Sequence, residues 1–166
     1  MNKIIQFIDG INKVIRVVLA VNLGTMSLVI IAQVIFRYLF QHTFTWAEEL
    51  SRYLMVLSVF LGAALALRTH SLIAVEVLAE NISKAKKRIL KILVYLLCLT
   101  FFVILLVVGI SMVSDVSRQL SPALQIKMSI PYLAIPIGAA ALILNSIAVL
   151  MELFMNKNTE KKGEAL

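Results

Sequence analysis

Four apolar runs divide the chain. The first covers residues 17–36, long enough to cross a bilayer core of about 30 Å at about 1.5 Å per residue. The second covers residues 46–68 and holds fifteen uncharged residues between Arg52 and Arg68. Those fifteen make about 22 Å of helix, so the span is completed by arginines that reach outward and by Trp46 and Tyr53 at the interface. The third run covers residues 92–113 and the fourth residues 132–151. Pro136 falls in the first turns of the fourth, where a missing N–H is tolerated best. Residues 72–91 have another pattern. Glu76, Glu80, Lys84, Lys87 and Lys91 fall near one helical face, and Val75, Leu78, Ile82 and Ile89 near the opposite one. That pattern predicts an amphipathic helix lying in the interface.

The predicted class is therefore an all-α integral membrane protein. It has four transmembrane helices plus an interfacial amphipathic helix, in a single membrane domain over residues 1–166. Residues 1–16 form a short, mildly amphipathic lead, and residues 156–166 a charged tail too short for a domain. The first apolar run is too long for a signal-peptide core and lacks a small-x-small site at its end, so it reads as an uncleaved helix.

Polar and small residues inside the spans predict packing faces. Asn22 and Gln33 are eleven residues apart, which returns to one helix face. Ser58, Gly62 and Ala66 recur every four residues, and Ala134, Gly138, Ala141 and Asn145 share a second stripe. Small residues let helices approach closely, and polar ones bond across them. Asn22 and Asn145 are each expected about 10 Å inside the same membrane edge, facing protein.

The start of the second span carries a denser motif. Thr45 followed by Glu48 predicts a capping box, with the hydroxyl accepting from the Glu48 N–H. Glu48 and Glu49 lie four and three residues before Arg52, so with Trp46 these residues predict one charged cap cluster at the waterline.

Composition agrees. Hydrophobic residues make up 61% of the chain and mean hydropathy is +0.96, above the range of soluble domains. The net charge of +7 invites a nucleic-acid reading. The basic residues instead cluster at the ends of apolar runs, as membrane topology requires, so no nucleic-acid partner is expected. Twelve Lys and Arg fall on the N-terminus, the second connection and the tail, against four on the first and third connections. The positive-inside rule then puts both termini in the cytoplasm (N-in, C-in). Arg68, His70, Lys84, Lys86, Lys87, Arg88 and Lys91 become a cytoplasmic interface that can meet anionic headgroups. Arg37, Glu48, Glu49, Arg118 and Lys127 become an outward surface of mixed charge, a candidate docking surface for a soluble partner.

Little catalytic chemistry is available. His42 and His70 lie near opposite membrane faces and cannot ligate one haem iron. The single cysteine, Cys98, forms neither a disulfide nor a thiolate cluster within the chain. There is no metal-ligand motif and no phosphate loop. No Asp or Glu lies within the four apolar cores, so a proton-coupled pump has no buried acid. His70 is a proton-switch candidate by residue type and otherwise an interfacial polar residue. No enzyme activity and no cofactor or metal are expected.

These residues carry a resemblance. Phe36-Arg37-Tyr38, Thr45-Trp46-Ala47-Glu48-Glu49-Leu50-Ser51-Arg52-Tyr53 and Leu61-Gly62-Ala63-Ala64-Leu65-Ala66-Leu67-Arg68 with His70 soon after form its first part. Ser121-Pro122-Ala123-Leu124 with Ile130-Pro131-Tyr132 and Pro136 form its second. In this order the chain resembles the small membrane subunit, the DctQ type, of tripartite ATP-independent periplasmic (TRAP) transporters, over residues 17–151. Leu57 departs from a pattern in which many members carry a second Trp.

The resemblance implies a non-enzymatic scaffold and docking subunit in a bacterial or archaeal inner membrane. Its partners would be a large elevator-type membrane subunit, which carries the substrate and sodium sites, and a periplasmic binding protein. The cargo would be an organic acid such as a C4-dicarboxylate or sialic acid. The end at Leu166 suggests that the large subunit is a separate polypeptide. Two other classes stay open on the residues alone: a membrane anchor of a redox enzyme and an autonomous small transporter.

Overall fold

The structure is a computed structural model that describes residues 2–41, 44–69 and 84–163, with side chains described for 3–41, 44–69 and 89–153. The helices are α1 (Asn2–Phe40), α2 (Thr45–Arg68), α3 (Lys84–Asp115), α4 (Ser129–Tyr132) and α5 (Ala134–Gly163). Among the described residues, four helices are long and apolar enough to cross a membrane. The expected all-α class with four spans therefore holds.

Two boundaries differ from expectation. The first span was expected over residues 17–36, after a short, mildly amphipathic segment; α1 runs unbroken through 39 residues, about 58 Å. Gly10 and Gly24 are its weakest helix formers, and it holds no proline. Similarly, residues 84–91 are the first turns of α3 rather than part of an interfacial helix. Ala, Lys, Arg, Ile and Leu carry the helix onward without a breaker. The rest of the amphipathic segment, with His70, lies outside the described residues.

The helices form a row. α5 lies between α2 and α3, and α1 packs along α2 with a smaller contact to α5. The share of each most apolar window buried within the chain follows this order, 56% for the fourth span against 6% for the first. α5 is thus the spine, while the outer faces of α1 and α3 are left to lipid or a partner. The core is built of Ala64, Leu67, Tyr95, Ala141, Leu142, Val149 and Leu150. Asp9 and Glu152 both meet Arg68, so the N-terminal end of α1 and the C-terminal end of α5 share one end of the bundle.

The predicted faces are largely the packing faces. Asn22 donates to the Leu54 carbonyl at 2.8 Å and the Ser58 hydroxyl at 2.6 Å, tying α1 to α2. A Cβ on Gly62 would stand 3.9 Å from Leu19 of α1. Gln33 is half-buried. On α5, Ala134, Gly138, Ala141 and Asn145 are buried, and a Cβ on Gly138 would stand 2.3 Å from the Phe60 Cβ. Ala66 is the exception. It is exposed, because the α2 face that meets α5 runs through Leu61, Ala64 and Leu67 instead. Gly109, not singled out by the pattern, receives Ile135 and Pro136 at the α3–α5 crossing.

Candidate functional site

The start of α2 and the loop before α4 form one joint. Phe44, in an extended conformation, is the helix cap and makes no side-chain cap hydrogen bond. Thr45 is the first helical residue, so the expected Thr45–Glu48 capping box is out of register. An aromatic row sets the entry of the helix instead: Phe36 to Phe44 at 5.1 Å and Phe44 to Trp46 at 6.0 Å between ring centroids.

The expected charged cluster separates into two. Glu48 and Arg52 pair on the exposed face at 3.3 Å, each about two-thirds exposed. Glu49 turns the other way and is buried. One of its carboxylate oxygens accepts from the Tyr53 hydroxyl. The other accepts two backbone N–H groups, from Ala123 at 2.8 Å and Leu124 at 3.0 Å. A helix turns through 100° per residue, so neighbours 48 and 49 cannot both face Arg52 and the loop. Glu49 therefore belongs to the internal joint and not to the outward docking surface.

The loop is shaped to receive this carboxylate. Leu120 and Lys127 bridge antiparallel, and Ser121 N–H donates to the Ile126 carbonyl at 2.8 Å. Gln125 takes a left-handed φ of 54°, and its N–H returns to the Ser121 carbonyl at 3.2 Å. The turn aims successive N–H groups at one point, an arrangement that favours an anion. Glu49 supplies that anion from 74 residues away. Ser121, fully buried, seats the turn.

Beside the joint lies a cleft of about 670 Å3. Val56, Met112 and Ile135 give it an apolar lining, and Glu48 and Arg52 add a charged one. The loop leaves Arg118 and Lys127 exposed, as Arg37 is at the end of α1. The predicted outward set thus reduces to Arg37, Glu48, Arg118 and Lys127.

A second cluster closes the opposite end. Arg68 donates Nε to Asp9 at 2.8 Å and both terminal nitrogens to Glu152 at 3.0 and 2.7 Å. One planar fork thereby holds α1, α2 and α5. Arg68 was read as an interfacial residue that reaches outward; it is instead the hub of this clamp. Of the other predicted interface residues, Lys91 is half-buried on α3, while the side chains of Lys84, Lys86, Lys87 and Arg88 and all of His70 lie outside the described residues. One turn inward, Asn12 and Asn145 exchange hydrogen bonds at 2.6 and 2.9 Å, and Asn145 also donates to the Ala64 carbonyl at 2.7 Å. Asn12, Asp9 and Glu152 escaped the sequence reading as partners, although Asn12 is a polar residue at helical spacing from Ile8 and Ile15.

Among the described residues no group of three or more His, Cys, Asp or Glu side chains could hold a metal ion. The arrangement joins elements and presents a surface.

Comparison with known proteins follows the same outline. The model of the family described as "Tripartite ATP-independent periplasmic transporters, DctQ component" matches residues 26–156. The chain is similar to the C4-dicarboxylate TRAP transporter small permease protein DctQ of Vibrio cholerae serotype O1. They are 38% identical over 104 residues, 63% of this chain and 43% of that protein. It is also similar to a Haemophilus influenzae protein whose name assigns it to the TRAP transporter small permeases, at 35% identity over 81 residues, 49% of this chain and 50% of that protein. The chain spans about half the length of the curated relatives it matches.

Proposed function

Because the chain belongs to the DctQ component family of TRAP transporters, we propose that it is the small scaffold and docking subunit of a sodium-coupled, binding-protein-dependent importer of an organic acid. Members of this family are transporter subunits and not enzymes, and the family together with four apolar helices makes this a multi-pass inner-membrane protein. A C4-dicarboxylate is the favoured cargo, since that substrate is in the name of the Vibrio cholerae relative, with sialic acid, a monocarboxylate, a second organic-acid candidate. The partners are a large membrane subunit, which holds substrate and sodium, and a periplasmic binding protein. This subunit needs no cofactor of its own.

The observation that carries the reading is the Glu49 joint. A loop bearing the exposed cations Arg118 and Lys127 is anchored to α2 through two backbone N–H groups and a buried carboxylate. Such a loop holds its charges at fixed positions, as registering a soluble partner requires. The twelve-to-four distribution of Lys and Arg supports placing this end in the periplasm and the Arg68 clamp in the cytoplasm.

The test is uptake in proteoliposomes containing the large subunit, with the binding protein and labelled dicarboxylate outside. Uptake that needs sodium, the binding protein and this chain together supports the proposal. Uptake by this chain alone would make it an autonomous transporter. A haem or quinone spectrum in the purified chain would make it a redox anchor.

A further inference from the structure

We propose that the cleft at the Arg68 end binds the phosphate of an anionic phospholipid, with Lys13 and Arg16 as its ligating cations. The cleft, of about 330 Å3, lies where α1 meets the end of α2. Its volume equals that of about ten waters at about 30 Å3 each, room for a phosphate and its glycerol.

Charge is the first argument. Lys13, Arg16, Arg68 and Asp9 all line the cleft. Arg68 is held by one hydrogen bond to Asp9 and two to Glu152, and Asp9 spends one carboxylate oxygen on it. Lys13 and Arg16 are both exposed, and among the described residues neither meets a carboxylate. Two cations thus face one cleft with no carboxylate in contact with either among the described residues.

Depth is the second. Arg16 lies seven residues beyond Asp9 along α1, about 10 Å toward the apolar middle. Around it Val14, Val17 and Val18 are all exposed, at 62%, 59% and 44%. A guanidinium on a lipid-facing surface at that depth turns back toward the headgroups and takes a phosphate. The cleft beside Lys13 is where its turn ends. The exposed valines then offer a surface for the acyl chain, which favours a lipid over soluble phosphate. A zwitterionic lipid brings an ammonium that both cations repel, so net negative charge is preferred.

The test uses the full chain in nanodiscs of phosphatidylglycerol and phosphatidylethanolamine in equal parts, with co-retained lipid counted by native mass spectrometry. The wild type is expected to retain phosphatidylglycerol over phosphatidylethanolamine by about fivefold or more, following the weight of about 1 kcal/mol per basic residue near a surface. Lys13→Ala with Arg16→Ala should bring that ratio below about twofold. Lys13→Arg with Arg16→Lys, and Lys127→Ala at the other end, should keep it. Circular dichroism checks that each variant folds, and Lys13→Glu alone serves if the double variant does not. An unchanged ratio in the double variant, or an equal loss in Lys127→Ala, would overturn the proposal. So would complete displacement of lipid by equimolar inorganic phosphate, which would mark a site for a soluble anion.

Discussion

Asn12 and Asn145 face each other across the bundle and each donates its amide to the other's oxygen, at 2.6 and 2.9 Å. Both are buried, and Asn145 uses its second N–H on the Ala64 carbonyl. This pair binds α1 to α5, two helices that otherwise touch little. Interhelical hydrogen bonds in membranes contribute about 0.6 kcal/mol on average and up to about 1.7. Removing one partner leaves the other buried and unsatisfied, which costs more than removing both. Asn145→Ala and Asn12→Ala should each lower stability by about 1–2 kcal/mol, and the double variant by less than their sum. Thermal or steric-trap unfolding in a double-mutant cycle measures the coupling. Strict additivity would show that the two amides do not act as a pair.

Gly138 meets its neighbouring helix more closely than any other glycine among the described residues. A Cβ there would lie 2.3 Å from the Phe60 Cβ, an atom fixed to the backbone and unable to swing away. Gly138→Ala must push α5 from α2, and such overpacking costs about 1–3 kcal/mol. Gly24, with open space around it, is the matched control. Gly24→Ala should leave the melting temperature unchanged or slightly raised, by helix propensity. Equal melting of the two variants would refute the close crossing.

The spans were legible because length and apolarity alone define them, and Asn22, Gly138 and Asn145 because a polar or small residue in an apolar helix has few reasons to face lipid. The joint was less legible. Glu48 and Glu49 stand at nearly equivalent spacing from Arg52, and local periodicity cannot tell which one turns inward. That choice is made by Ala123 and Leu124, whose backbone groups come from a loop 74 and 75 residues on. Side-chain identity does not encode a backbone N–H, so the motif around Ser121 and the motif around Glu49 read as separate until folded. Arg68 was visible as a charge but its partners were not, since Asp9 lay in a segment read as a lead into the span. Gly109 could have been found: it is the one small residue among Val107, Val108 and Ile110.

Glu49 and its neighbour Glu48 should behave as opposites. Glu49→Ala leaves the Ala123 and Leu124 N–H groups without an acceptor and releases the loop. Hydrogen exchange at those two amides should accelerate by about tenfold or more, in proportion to the lost closing energy. Glu49→Gln, which keeps one carbonyl oxygen, should fall between. Glu48→Ala and Arg52→Ala remove a surface pair worth about 0.3–0.5 kcal/mol and should leave both amides protected. Acceleration in all four variants alike would mean the loop is held by the whole helix start and not by one carboxylate.

The Arg68 clamp depends on shape as well as charge. Lysine keeps the charge but is a point donor and cannot bond Asp9 and both oxygens of Glu152 in one plane. Arg68→Ala should lower the melting temperature most, because it leaves two carboxylates facing each other. Arg68→Lys should recover part of the loss. Asp9→Asn should cost less than either, since Asp9 is half-exposed and contributes one bond of three. A melt of Arg68→Lys equal to wild type would reduce the clamp to simple charge balance.

The docking proposal turns on two cations that the fold leaves exposed. Arg118 and Lys127 sit on the two sides of the loop whose tip is held by Glu49, and among the described residues neither meets a carboxylate. Exposed charges on a fixed frame act chiefly on encounter rate and register. Arg118→Glu with Lys127→Glu should therefore raise the concentration of binding protein needed for half-maximal uptake, while leaving maximal uptake near its wild-type value. The shift should be larger at low ionic strength, because at 0.01 M salt the screening length is about 30 Å against about 8 Å at 0.15 M. Sodium dependence should stay where it was, since no acid lies in a span core of this chain and the proposed function puts the ion on the large subunit. Proteoliposome uptake titrated separately with binding protein and with sodium resolves the two effects. If the double reversal moved the sodium curve and left the binding-protein curve in place, this chain would be part of the ion path and the scaffold reading would fall.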